Sequence, residues 1–119
     1  MGVRIVGWGH TKFGRLEDNL EQLIVRSARE AIDHSGVDPA DIDGIWLAHY
    51  NGGLVKDGFP SSLALQIDPK LRFTPSTRLE NACASGSAAI HGARNAINAG
   101  TAKTALVIGV EKMTEQDTK

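Results

Sequence analysis

Apolar residues first gather at Val3, Ile5 and Val6 and are interrupted by Gly7 and Gly9. This pattern predicts a short opening strand that ends in a glycine-rich turn. The spacing then changes. Leu20, Leu23, Ile24, Ser27, Ala28, Ala31 and Ile32 recur at i, i+3, i+4 and i+7, the period of a helix with one face toward a core. Asp18 with Glu21 three residues on predicts the N-cap and its reciprocal partner, and Gly36 supplies a left-handed stop. Asp38-Pro39 fits a brief capped turn, since proline suits the first helical position. A second strand is expected over 44–49, followed by loop chemistry at Tyr50-Asn51-Gly52-Gly53 and Asp57-Gly58. Residues 61–67 read as a short helix halted by Asp68-Pro69, because the residue before a proline avoids helical angles. Residues 73–79 read as extended, with Pro75 barring them from the centre of a sheet. The run Ala105-Leu106-Val107-Ile108-Gly109-Val110 is continuously apolar rather than alternating, as in a parallel strand covered on both faces.

Composition narrows the class. The chain has 119 residues, 41% of them hydrophobic and 23% charged, which permits one core and excludes disordered, collagen-like and coiled-coil classes. Thirteen basic residues against fourteen acidic ones give a net charge of -1, so no bulk field attracts nucleic acid or anionic membranes, and neither partner is expected. The single cysteine, Cys83, has no internal disulfide partner, which fits a reducing compartment and makes the cytoplasm the expected location. No targeting segment and no run long and apolar enough to span a bilayer is visible.

The chemistry concentrates between Ala82 and Gly100, which hold seven alanines, three glycines and two serines, with Arg94 the only fixed charge. Small side chains on most of a helix let other backbones approach closely, so this helix is expected to start at Cys83 and to be buried between layers. One face carries His91, Arg94, Asn95 and Asn98, which need water or a partner. Cys83 stands at the helix mouth, flanked by Ala, Ser and Gly that leave its sulfur open to a bulky electrophile. A helix N-terminus is also where a cysteine becomes nucleophilic, although a lone intracellular cysteine also serves as a small buried hydrophobe. His91 lies eight residues further on, about 12 Å of helical rise away, and cannot act as its base. His10, His34 and His49 fall near predicted turns or strand ends, read as solvated surface residues, and receive no role. Gly7-Trp8-Gly9 lacks the third glycine of a dinucleotide loop, where Lys12 stands, and the scattered histidines offer no metal-ligand spacing.

The run Glu80-Asn81-Ala82-Cys83-Ala84-Ser85-Gly86-Ser87-Ala88-Ala89 resembles the nucleophile segment of the thiolase superfamily, especially its sterol-carrier-protein branch. The resemblance extends to residues 6–14, 36–44 and 107–114, in the right order along the whole chain. Glu80 departs from the asparagine often found at that place in biosynthetic thiolases. The resemblance implies a layered α/β fold, here its N-terminal portion only. Three main strands, over 3–6, 44–49 and 105–110, would lie in the order 3-2-1, with residues 1–119 forming a partial N-terminal domain.

It also implies an acyltransferase that makes or cleaves 3-ketoacyl-CoA by Claisen condensation or thiolysis. Cys83 would be the catalytic acyl carrier, coenzyme A thioesters the substrates, and no cofactor or metal would be bound. The activating histidine, a second cysteine and most coenzyme A contacts would lie beyond Lys119. The isolated chain is therefore expected to be inactive, and the polar end Glu115–Lys119 fits a cleaved or truncated product. A non-catalytic thiolase-like subunit that binds acyl-CoA or a partner is the alternative. The resemblance further implies a homodimer formed by antiparallel pairing of the 105–110 edge strand.

Overall fold

A computed structural model describes residues 2–114, so the polar end Glu115–Lys119 lies outside the described residues. Helix α1 spans Leu20–Ser35 and buries Leu20, Leu23, Ile24, Ala28 and Ile32, the face its spacing predicts. Its cap sits one residue later than expected. Asn19 accepts from the Gln22 N–H while the Gln22 side chain accepts from the Asn19 N–H, a complete capping box. Asp18 is instead bound to Arg26 at 2.7 Å. Gly36 closes the helix at φ 71°, a left-handed geometry that suits glycine.

Strands β1 (Gly44–Ala48), β2 (Ser76–Leu79) and β3 (Ala105–Gly109) form one parallel sheet in the order β2-β1-β3. The layered α/β class, the central place of 44–48 and its pairing with 105–109 are as expected. The neighbour on the other side of β1 is not the Val3–Val6 run but β2. Pro75 immediately precedes β2 and offers its carbonyl to the Ile45 N–H at 2.8 Å, so the proline stands just outside a strand that itself lies at the sheet's edge.

The N-terminal run is extended but forms no strand. Gly7 and Gly9 press its backbone onto α1, where a Cβ on Gly7 would stand 2.6 Å from the Ala31 carbonyl, and the Trp8 N–H donates to His34. Its apolar side chains consequently face outward, with Ile5 and Phe13 more than four-fifths exposed.

Helices cover both faces of the sheet. Ile45, Leu47, Leu106 and Ile108 join the core with α1 and with the 3-10 turns Pro60–Gln66 and Pro69–Leu71. Helix α2 (Ser85–Ala99) lies on the opposite face over Trp46. It begins two residues after Cys83 and is buried only along Ser85, Ala89 and Ala93. Its outer face, with His91, Arg94, Asn95 and Asn98, is exposed because nothing among the described residues covers it.

Candidate active site

Strand β2 ends at Leu79 and α2 begins at Ser85, and the five residues between them form a tight elbow that carries Cys83. Ala82 sits at φ 46°, a left-handed conformation uncommon for a residue with a side chain and found where surrounding structure imposes it. Two hydrogen-bonding side chains impose it here. The Ser85 hydroxyl accepts from the Asn81 N–H at 2.8 Å and donates to the Ala82 carbonyl at 2.6 Å, while the Glu80 carboxylate accepts from the Ala82 N–H. The Ala84 and Ser85 N–H groups close turns onto Asn81 and Ala82. Cys83 is thereby held at the crest, exposed, ahead of a helix whose first turn has no side-chain cap. Uncapped N–H donors at a helix start are free to receive an oxyanion.

Cys83 lines one end of a cavity of about 930 Å³. One wall is the extended run 3–14, the other is β3 with Glu111 to Thr114, and α1 forms the floor through residues such as Ser27 and Ala31. Both walls present unpaired backbone edges to this space, since β3 pairs only with β1 and the N-terminal run has no ladder partner among the described residues.

The histidines divide differently from the sequence expectation. His10 stacks edge-on with Phe13, and His34 accepts from the Trp8 N–H on the surface. His49 is no solvated residue: it is wholly buried, because β1 turns it toward the core face shared by Ile45 and Leu47. Around it stands a cluster that sequence reasoning missed. His49 Nδ1 lies 3.0 Å from the Val110 carbonyl and 3.5 Å from a Glu111 carboxylate oxygen. Glu111 in turn accepts from the Tyr50 and Asn51 N–H groups, and Arg78 donates to the His49 and Tyr50 carbonyls at 2.9 and 3.0 Å. The available signal was position: the three side chains, His49, Arg78 and Glu111, lie on or just past the C-terminal ends of strands, where parallel sheets build their sites.

Among the described residues no group of three His, Cys, Asp or Glu could hold a metal ion, and no helix is long and apolar enough to cross a membrane.

The chain as a whole is similar to known proteins. The family model for the thiolase N-terminal domain covers residues 3–119. The chain belongs to the thiolase family. This thiolase N-terminal domain is 39% identical over 114 residues to an acetyl-CoA acetyltransferase of Methanocaldococcus jannaschii, covering 95% of this chain and 29% of that protein. Two solved structures share its fold. A 3-oxoacyl-[acyl-carrier-protein] synthase III from Aquifex aeolicus superposes with a TM-score of 0.74 at 27% identity, over 84% of this chain and 32% of that one. An acetyl-CoA acetyltransferase from Syntrophomonas wolfei superposes with a TM-score of 0.68 at 29% identity, over 87% and 27%. The thiolase domain thus spans less than a third of the length of these relatives.

Proposed function

We propose that this chain is the N-terminal part of a thiolase-type acyl-CoA acyltransferase in which Cys83 is the nucleophile. The observation that carries the reading is the elbow, which exposes the cysteine at the cavity wall in front of an uncapped helix start. Its sulfur would attack the carbonyl carbon of an acyl-CoA. A carbon–sulfur bond forms to Cys83, the oxyanion is met by the Cys83 N–H and the start of the helix behind it, and coenzyme A leaves as its thiolate. The acyl group then passes to the carbanion left when a second acyl-CoA loses its α-proton, and the Cys83 thiolate departs. Thiolysis of a 3-ketoacyl-CoA is the reverse. Coenzyme A thioesters are substrates in this scheme, and a cytoplasmic location accords with the lone free thiol.

The open cavity supports the partial-domain reading. Neighbouring strands lie about 4.8 Å apart, so a space bounded by two unpaired edges is suited to a further strand supplied by a longer chain. That occupancy makes β3 a poor place for the expected dimer contact over 105–110. The outer edge of β2 is the alternative: it is unwalled, with Thr77 and Arg78 exposed, and a two-fold pairing there would continue the sheet.

The test is acyl loading. Full-length protein incubated with acetyl-CoA is expected to show an acetyl adduct on the Cys83 peptide by mass spectrometry, discharged by free coenzyme A, and Cys83→Ala is expected to abolish turnover. A Cys83 that stays unmodified in a protein that binds acyl-CoA would favour the non-catalytic subunit instead.

A further inference from the structure

His49 is the buried residue the acyl-transfer scheme leaves unused. Because the Val110 carbonyl can only accept, the 3.0 Å contact puts a proton on Nδ1 and leaves Nε2 outside that bond. That nitrogen is buried and has no partner among the described residues. Burying an imidazole among apolar side chains is costly, so its place here calls for a reason beyond filling the core.

The surroundings indicate what that is. The ring ties β1 to the end of β3, and the backbone of the same residue ties β1 to the end of β2. Its N–H donates to the Leu79 carbonyl at 3.2 Å, and its carbonyl accepts from Arg78 Nε at 2.9 Å. Leu79 is the last residue before the elbow, four positions from Cys83. Glu111 clamps the next peptide through the Tyr50 N–H, so the His49–Tyr50 peptide is held from the β3 side by both Glu111 and the imidazole.

We propose that His49 is a positioning residue for Cys83, its imidazole fixing the peptide that anchors the β2 end of the elbow. The proposal rests on the reading of Cys83 as the nucleophile. A shift of about 1 Å in a reacting group can cost roughly 100-fold in rate, so a residue with no contact to substrate can still govern turnover.

The test compares His49→Asn and His49→Leu in the full-length protein. Asparagine sets an amide N–H near the place of Nδ1–H and has nothing at Nε2, whereas leucine removes both. Two quantities are read: the rate at which iodoacetamide alkylates Cys83, and kcat and KM for condensation of acetyl-CoA. His49→Leu is expected to lower kcat and the alkylation rate about tenfold or more with KM changed by less than about twofold, and His49→Asn to restore both rates to within about threefold. Wild-type rates in a folded His49→Leu protein, or equal losses in the two variants, would overturn the proposal. Should His49→Leu not fold, His49→Gln takes its place, since its amide is displaced by one methylene, and it is expected to lose rate where asparagine does not. If the unmodified protein condenses no acetyl-CoA, the functional reading has failed and the alkylation rates alone decide the role of His49.

Discussion

Gly92 in the middle of α2 leaves the space that the indole of Trp46 occupies: a Cβ added there would stand 3.0 Å from Cδ1 and 3.2 Å from Nε1. This contact sets how closely the helix behind Cys83 lies on β1. Gly92→Ala gains roughly 0.5–1 kcal/mol of helix propensity and loses part of it to the tight contact, so its stability is expected within about 1 kcal/mol of the parent. Gly92→Val adds β-branched bulk to the same place and is expected to cost about 1–3 kcal/mol. Chemical denaturation of the full-length protein checks both. A stabilised valine variant would show that α2 rides freely on the sheet.

The capping box gives a second expectation. Asn19 and Gln22 satisfy each other's N–H groups at 2.9 Å, and loss of a side-chain N-cap typically costs about 1 kcal/mol. Asn19→Ala is expected to show that loss, whereas Asp18→Ala, which the sequence suggests is the cap, removes only the exposed pair with Arg26 and should change the melting temperature little. The reverse ranking would relocate the cap.

This one-residue offset illustrates how far the sequence is readable. Helix α1, its glycine stop and the central strand are legible because hydrophobic period and glycine geometry are local properties. The two adjacent cap candidates, Asp18 and Asn19, differ only in which one the backbone brings into reach, and local pattern does not resolve that. Val3–Val6 is apolar enough for a strand, but a strand needs a partner, and Gly7 and Gly9 hold this run against α1 instead. Cys83 is legible because its neighbours are so small. His49 is not: an imidazole after an apolar run looks the same whether it is solvated or buried, and only the pairing of β1 with β3 brings Val110 and Glu111 to it.

Acid sensitivity follows from the surface carboxylates. The Lys103 and Thr104 N–H groups hold Asp43 below the usual aspartate value, the Ala40 N–H and then Lys70 do so for Asp38, and the Lys70 N–H and then Arg29 for Asp68. A depressed folded-state value contributes stability that is complete above the unfolded value of about 3.9 and is lost as pH falls through the lower folded values. The melting temperature is therefore expected to drop below about pH 4. Asp43→Asn, which keeps an acceptor for the turn into β3 but not its charge, is expected to melt lower at neutral pH and to fall less steeply in acid. An acid limb of unchanged slope in that variant would assign the loss to other groups.

Catalysis by the 119-residue chain alone is expected to be negligible. Among the described residues the one histidine packed near the strand ends, His49, has its Nδ1–H committed to Val110, and Cys83 is the sole cysteine of the 119, so the second cysteine that the thiolase resemblance implies as acid and base is not among them. Removing one member of a cooperating catalytic set commonly costs several orders of magnitude. Acetyl-CoA condensation by the purified chain at ordinary enzymatic rates would count against the two-cysteine scheme.

The last expectation separates the two sheet edges. The Val110 N–H donates to the Ala48 carbonyl, and N–H groups along a strand alternate in direction, so Val107 directs its N–H away from β1 into the cavity. On β2 the Pro75 and Leu79 carbonyls both accept from β1, which by the same alternation turns the Ser76 N–H to the outer edge. If the cavity receives a strand of the full-length protein and the outer edge of β2 forms the dimer, proline at the two positions has different consequences. Val107→Pro should lower stability by about 1–3 kcal/mol and leave the protein dimeric, because it removes one buried ladder donor. Ser76→Pro should favour the monomer, and Ser76→Ala, which loses the hydroxyl bound to the Ser61 carbonyl at 2.8 Å but keeps the N–H, should remain a dimer. Sedimentation of the full-length variants at micromolar concentration distinguishes these outcomes. Dissociation by Val107→Pro with an intact Ser76→Pro dimer would return the interface to the 105–110 strand.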